Sequence, residues 1–383
     1  MKQMELSGIY FILKIILILP VRTAIYCYNV WYNYSRKITP SFVRRILMRE
    51  AFLLGDYSTC RIVINPVFEF IDSFFLDTYQ EISGYVTEKD HELLRPRLKE
   101  NSIFLSRENC IRTKYVWYSK PDDFDNARDP ILIFSHGGGF AIKLVPLSFN
   151  FLNNMSKHFP RMGIIIHDYT VTASKEGEHP LQLLETVLLY NYVTQDLNCE
   201  HVILMGESAG GNIVLGTLQF LQQSNRKLPE KAIVLSPWCN PTSDSMDSGI
   251  RNSLAYSVNK MMDGLSFEGL DIFTQLLLPQ SYVFDDDPML NVEQNFDSIN
   301  WTNVLPRTKL LIVYGTDEIL QHEIKNFIKK LDSTNSNNFN ISYNVFVEEN
   351  GAHIEPVLNM TLNLEKWSRL PAISKILEFI GSE

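Results

Sequence analysis

The sequence is short of positive charge, and this shortage excludes one broad class of partner. Its 35 lysines and arginines stand against 44 aspartates and glutamates, which gives a formal net charge of −9. A chain with this balance lacks the basic excess that holds the phosphates of DNA or RNA. We therefore expect no nucleic-acid partner.

Cysteine is also scarce, and it is scattered along the chain. The five cysteines are Cys27, Cys60, Cys110, Cys199 and Cys239. No two of them are closely spaced, so they indicate neither a zinc site nor a dense disulfide framework. The odd count, with one member inside an apolar stretch, favours buried reduced thiols, although one or two disulfides would also fit. We expect no metal ion and no organic cofactor.

A signal-peptidase site is missing as well. No Ala-x-Ala pattern follows the apolar and aromatic stretch from Leu6 to Tyr34, so residues 1–36 are predicted to remain as a membrane anchor. Lys14 and Arg22 interrupt the stretch, which can span a bilayer only if these charges lie near an interface. A spanning anchor is the leading interpretation, and a helix in the membrane plane or a soluble cap helix are the alternatives.

Two signals disagree on the side of the membrane that the body occupies. The basic residues that follow the stretch are Arg36, Lys37, Arg44, Arg45 and Arg49. By the positive-inside rule they place the body in the cytosol. Five glycosylation sequons, which are usable only in a lumen or outside the cell, begin at Asn33, Asn154, Asn300, Asn340 and Asn359. The residues alone leave the side open.

Alternating strand and helix signals begin near Thr113. Short apolar runs typical of strands lie at 114–118, 130–134, 162–167, 201–205, 231–235, 309–313 and 341–346. Helices are expected at 180–197, 321–331 and 364–380. Mostly continuous apolar strands joined by helices predict a parallel, doubly wound α/β sheet that is buried on both faces.

Two segments do not fit this sheet, and we interpret them as helical lids. One is residues 37–112, and the other is an insertion at about 241–305 within an α/β domain that covers residues 113–383. The predicted fold is therefore the mostly parallel sheet with helical lid segments and an N-terminal membrane anchor.

Two glycine-rich motifs carry the chemistry. Gly206-Glu-Ser-Ala-Gly210 lies between a predicted strand and a predicted helix, which is the context of a nucleophile elbow with Ser208 exposed at its tip. Gly206 and Gly210 allow the tight turn to form without a Cβ clash.

The second motif, His136-Gly-Gly-Gly139, follows another predicted strand. We predict that the amides of Gly137, Gly138 and Ala209 donate to the oxygen that becomes anionic during acyl transfer. Gly139 supports the loop, and His136 is predicted to orient the loop rather than to act as the base.

The order of a hydrolase triad in this fold, serine then acid then histidine, limits the search for the other two members. His322 and His353 are the histidines after Ser208, and His353 is the predicted base because it follows the last strand in a loop. Asp317 and Glu318 follow the strand before it. We favour Glu318 as the acid, with Asp317 as the alternative. Asp168 precedes Ser208 and is assigned a structural role.

With these residues in view, the chain resembles the hormone-sensitive-lipase branch of the α/β-hydrolases, and within it the fungal steryl acetyl hydrolases. The motifs that carry the likeness are His136-Gly-Gly-Gly-Phe140, Asp168-Tyr169, Gly206-Glu-Ser-Ala-Gly-Gly211, Leu235-Ser-Pro-Trp238, Gly315-Thr-Asp-Glu318 and Gly351-Ala-His353. They occur in the family's order from about Ile131 to the C-terminus. The family's acid, five residues before the glutamate that Glu323 matches, maps onto Glu318. Glu207 departs from the more usual aspartate, and Leu320-Gln-His322 from Leu-Arg-Asp.

The resemblance implies a serine carboxylic-ester hydrolase that removes acetyl groups from sterols. It also implies an endoplasmic-reticulum membrane anchor, and with the sequons it favours a lumenal body. The expected partners are a hydrophobic acyl ester and the membrane. The alternatives are another short-chain lipid esterase or lipase, and a hydrolase-fold protein that binds a ligand without chemistry.

Overall fold

The computed structural model describes residues 11–34, 38–54, 63–97, 110–174, 177, 179–241, 257–277, 287–336 and 343–382. Within these residues the chain forms one eight-stranded sheet in the order β1-β2-β4-β3-β5-β6-β7-β8. The strands are Gln80–Tyr85 (β1), Cys110–Ser119 (β2), Ile131–Ser135 (β3), Gly163–Asp168 (β4), Val202–Glu207 (β5), Lys231–Leu235 (β6), Lys309–Gly315 (β7) and Tyr343–Glu348 (β8).

The strands from β3 to β8 run parallel, whereas β1 and β2 pair antiparallel at one edge. Every residue of β3, β5 and β6 is buried, because helices cover both faces of the sheet. Ile133 in β3 lies between Ile165 of β4 and Leu204 of β5, in the middle of the core. The predicted mostly parallel α/β sheet is thus confirmed.

The longer helices lie before, between and after the strands. The first group is Leu19–Tyr34 (α1), Pro40–Leu54 (α2), Asn65–Asp72 (α3), Glu88–Leu94 (α4), Ser148–His158 (α5), Leu181–Asn191 (α6) and Ala209–Gln223 (α7). The second group is Ser257–Met262 (α8), Phe267–Leu277 (α9), Ser298–Val304 (α10), Gln321–Ser336 (α11), Glu355–Leu358 (α12), Leu364–Ser368 (α13) and Pro371–Gly381 (α14).

Two elements differ from the sequence prediction, each for a local reason. Strand β1 lies inside the segment assigned to a helical lid. It was missed because, as an edge strand, it carries no buried apolar run. The helix predicted at 364–380 is two helices, because Pro371 lacks the N–H that would continue the first one and instead begins the second.

Helices α1, α2, α8 and α9 lie together near the carboxyl end of strand β5, which Ser208 follows. Side chains of α2 and α9 line the same cavity as Ser208, which follows β5. Helix α1 packs on α2, where Val30, Phe42, Ile46 and Met262 form a small apolar cluster that also includes α8. We refer to α2, α8 and α9, with the residues that join α8 to α9, as the cover. The parts of the proposed lids at 55–62, 98–109, 242–256 and 278–286 lie outside the described residues.

The N-terminal apolar stretch is helical over its described part. No single described helix is long and apolar enough to cross a bilayer, but Phe11–Leu17 and Leu19–Tyr32 pass that test together as a pair bent by 44°. The described cysteines, Cys27, Cys110, Cys199 and Cys239, are free thiols. Cys199 and Cys239 are buried, as the favoured interpretation predicted, whereas Cys27 and Cys110 are half-buried. Cys60 lies outside the described residues.

Candidate active site

Ser208 stands at a sharp turn between strand β5 and helix α7. Its backbone is in the left-handed region, with φ 53° and ψ −119°. The turn requires glycine on both sides: a Cβ on Gly206 would lie 2.2 Å from the Gly210 carbonyl oxygen, and a Cβ on Gly210 would lie 2.0 Å from that of Ser135. The turn therefore holds Ser208 in a strained conformation at the carboxyl end of the central strand.

Tyr169 holds the loop that follows β3 by ring stacking and by hydrogen bonds. The His136 ring stacks on Tyr169 with 4.2 Å between centroids, and the Tyr169 hydroxyl donates to the carbonyl oxygens of His136 and Gly137. Burial lowers the pKa of His136 to about 4, so its imidazole is neutral at physiological pH. A buried, neutral and stacked ring fits the orienting role predicted for His136.

The three glycines of this loop face different groups. The Gly137 amide donates to Glu207 Oε1 at 3.2 Å, so the structure gives it an acceptor other than a substrate oxygen. Gly138 and Gly139 instead line the cavity beside Ser208, with φ values of 97° and 59°. The oxyanion role of Gly137, Gly138 and Ala209 stays a prediction, and the Glu207 contact favours Gly139 over Gly137 as a donor in the proposal below.

Glu318 and His353 meet across the loops that follow β7 and β8. His353 Nδ1 lies 3.2 Å from Glu318 Oε2, and the Gly315 amide donates to Glu318 Oε1 at 3.1 Å. Burial raises the pKa of the Glu318 carboxyl, and the hydrogen bonds with His353 and Ser236 oppose that rise. A buried carboxylate that contacts one ring nitrogen orients the histidine so that its other nitrogen can exchange a proton.

The alternative acid Asp317, and His322 and Asp168, have other contacts. Asp317 donates its amide to the Gly351 carbonyl oxygen at 2.8 Å, which joins the two loops. His322 lies on α11, where its Nε2 is 3.1 Å from Asn326 Nδ2. Asp168 forms an ion pair with Lys143 at 2.7 Å, in keeping with its structural assignment.

Ser208 and His353 open into one cavity. Its wall is mainly apolar and comes from the sheet loops and the cover: Met48, Ile142, Val145, Trp238, Leu265, Leu270, Phe273, Ile354 and Leu358. Arg45 also lines it, and its guanidinium pairs with Glu355. A wall of this kind suits a hydrophobic ligand whose reacting group reaches Ser208. Within the described residues, no group of acidic, histidine or cysteine side chains could hold a metal ion.

Sequence reasoning missed the polar residues of the cover that contact the catalytic loops. Asn259 and Asp263 both come from the predicted insertion. Asn259 donates a hydrogen bond to the main chain of the loop that holds Glu318, and Asp263 accepts one from the main chain of that loop and one from the loop that holds His353. No periodicity or motif marks them, because their partners lie more than fifty residues away in sequence.

Comparison with known proteins shows the family to which this chain belongs. The steryl acetyl hydrolase family model matches residues 9–379. This chain belongs to that family. Steryl acetyl hydrolase 1 of Saccharomyces cerevisiae is 33% identical over 387 residues, covering 98% of this chain and 89% of the yeast protein. The recognition drawn from the motifs is confirmed, and the protein is a carboxylic ester hydrolase.

Solved structures of esterases share the fold at low sequence identity. An esterase/lipase from an uncultured bacterium gives a TM-score of 0.59 at 15% identity, covering 90% of this chain and 98% of its own. An esterase of the bacterial hormone-sensitive lipase family gives 0.58 at 16% identity, covering 90% and 97%. These likenesses confirm the α/β-hydrolase fold class.

Proposed function

We propose that this protein removes the acetyl group from acetylated sterols by acyl transfer to Ser208. The observation that carries the proposal is the placement of Ser208, His353 and the Glu318–His353 contact at the end of one apolar cavity. The family to which the chain belongs, and the name of its yeast relative, supply the acetylated sterol as the substrate class.

In the proposed reaction the Ser208 hydroxyl attacks the acetyl carbonyl carbon while His353 Nε2 accepts the hydroxyl proton. Glu318 holds the imidazole through Nδ1 and stabilises its positive charge. The amides of Gly138, Gly139 and Ala209 stabilise the oxyanion, and Ala209 adds the positive end of helix α7. Collapse expels the sterol alcohol, which takes the proton from His353. Water then hydrolyses the acetyl-enzyme by the same steps and releases acetate.

The test of the nucleophile uses purified full-length protein, a sterol acetate and a fluorophosphonate probe that labels reactive serines. Ser208→Ala should abolish both acetate release and labelling. Ser224→Ala is the matched control, since Ser224 is a buried serine directly after the same helix whose hydroxyl donates to the Phe220 and Leu221 carbonyl oxygens. Labelling that survives Ser208→Ala would overturn the assignment. Equal turnover of short-chain esters without a sterol would favour a general lipid esterase.

We also propose that the N-terminal helices rest on the endoplasmic-reticulum membrane. One face of α1 packs on the cover, through Val30 and the Arg22–Glu50 ion pair at 2.7 Å. The other face and the preceding helical turns expose large apolar side chains: Ile12, Leu13, Ile16, Leu17, Ile18, Val21, Ile25, Tyr28, Trp31 and Tyr32. This two-sided pattern supports a helix in the membrane plane over a helix surrounded by lipid.

A lumenal body is the location that we propose from the family resemblance. Fewer sequons support it than the sequence suggested, because Asn154 and Asn300 are buried and could not carry a glycan in the folded protein. Asn359 is partly exposed. An endoglycosidase-sensitive mobility shift that Asn359→Gln reduces would support the lumen. Digestion of the body by protease added to sealed microsomes would place it in the cytosol.

A further inference from the structure

Asp263, a residue of the cover, touches both loops of the proposed triad. It directly follows helix α8 and is fully buried. One carboxylate oxygen accepts from the main-chain N–H of Ile319 at 2.7 Å, and the other accepts from the main-chain N–H of His353 at 3.1 Å. These two amides belong to the residue after Glu318 and to the proposed base itself.

Asn259 adds a second contact from the same helix. Its side-chain amide donates to the Glu318 carbonyl oxygen at 2.8 Å, and its own carbonyl oxygen accepts from the Asp263 amide at 2.9 Å. Together the two side chains hold the main chain of the acid loop by a donor and an acceptor. The cover is therefore bonded to the acid loop at two consecutive residues.

We propose that Asp263 is a positioning residue, which sets the distance between Glu318 and His353 by bridging the main chains of their two loops. The inference rests on the catalytic roles proposed above. The Glu318–His353 contact is 3.2 Å, at the long end of the hydrogen-bond range, so a small displacement of either loop breaks it. The loops come from separate strands, and Asp263 is the side chain that accepts a hydrogen bond from each of them.

The same bridge ties the triad to the N-terminal helices. The Arg49 guanidinium of α2 donates to the carbonyl oxygens of Lys260 and Asp263, at 2.9 and 3.3 Å. The Tyr26 hydroxyl of α1 donates to the same Lys260 oxygen at 2.9 Å, and Tyr26 lies under the Arg49 guanidinium. The membrane-facing helix, the cover and the catalytic loops thus form one hydrogen-bonded unit.

The test separates kcat from KM in full-length protein, with a water-soluble acetyl ester that is too small to depend on the apolar wall. Asp263→Ala should lower kcat about 100-fold and leave KM within about threefold, because misplacing catalytic groups by about 1 Å costs that much. Fluorophosphonate labelling should slow in parallel. Asp263→Asn, of the same size, should also lower kcat, since its NH2 would face a main-chain N–H.

Thr274→Val is the matched control, because it removes a hydrogen bond from the cover to the Pro241 carbonyl oxygen without touching either loop. Its kcat should stay within about twofold of the parent. If Asp263→Ala does not fold, Asp263→Asn decides the question. Unchanged kcat in a folded Asp263 variant would overturn the inference while leaving the triad intact. Unchanged kcat in His353→Ala would instead overturn the proposed function.

Discussion

At the scale of single residues, the direction of a buried side chain decides whether its charged group can act. Glu318 and Asp317 are adjacent and both buried, and the Glu318 carboxylate lies 3.2 Å from His353 Nδ1. The sequence could narrow the acid to these two positions. It could not choose between them without the family motif, since the direction of a side chain at a turn depends on the loop around it.

The assignment of Glu318 as the acid predicts that substitutions of Glu318 and of Asp317 lower kcat by different amounts. Glu318→Gln should lower kcat by about 10³-fold or more, because an amide cannot stabilise the imidazolium as a carboxylate does. Asp317→Asn should lower it far less, since the main-chain bond from Asp317 to Gly351 survives. Steady-state rates on an acetyl ester measure both. The reverse order would move the acid to Asp317.

The burial of Glu207, which precedes the proposed nucleophile, predicts that the stability of the protein depends on pH. Burial raises its pKa from its ordinary value near 4.5 to about 7. Between these values the unfolded chain ionises Glu207 while the folded protein keeps it protonated, so folding loses stability as the pH rises through this window. Glu207→Gln cannot ionise, and it keeps an acceptor for the Gly137 amide.

The variant should therefore gain melting temperature over the parent on going from about pH 5 to about pH 8, by a few degrees. Differential scanning calorimetry at both pH values measures it. A difference in melting temperature that stays constant with pH would mean that Glu207 ionises alike in the folded and unfolded chains.

At the scale of elements, the sequence was most informative where burial was uniform. Strands β3 to β7 were found within about two residues of their predicted positions, because an apolar run covered on both faces needs no knowledge of its neighbours. Strand β1 and the bonds of Asp263 were not found. Both depend on segments that lie far apart in sequence and meet only in the folded chain.

The cover meets the loop of His136 to Gly139 at Gly139, and this contact is sterically tight. A Cβ at that position would lie 2.4 Å from the Phe273 ring of α9, and its φ of 59° disfavours a side chain. Gly139→Ala should displace the loop and lower kcat by about 10²- to 10³-fold, the usual cost of losing an oxyanion donor.

Kinetics on a small acetyl ester give the readout for Gly139→Ala. Gly381→Ala is its control, since a Cβ there meets no atom within 4 Å. Activity near that of the parent in a folded Gly139→Ala protein would remove Gly139 from the proposed donors.

At the scale of the whole molecule, helix α1 has one face packed against the protein and one face exposed. Its packed face closes the apolar cluster of Val30, Phe42, Ile46 and Met262 on the cover, and its exposed face presents apolar side chains outward. The −9 charge of the chain would be repelled by anionic lipid, so in our proposal this apolar face attaches the protein to a membrane.

Two variants separate these surfaces in cells that express the full chain. Replacing Leu17, Ile25 and Trp31 with serine changes only side chains that are more than half exposed. This triple variant should move from the alkaline-resistant membrane pellet to the supernatant and keep its kcat on a water-soluble acetyl ester.

Deleting residues 1–36 should also release the protein, but with a lower kcat, because it removes Tyr26 and the packing that supports α2 and Asp263. Sedimentation after carbonate extraction and steady-state kinetics measure both. A triple variant that stays in the pellet would show that attachment does not depend on the exposed face of α1, and a deletion with full kcat would show that α1 does not support the catalytic loops.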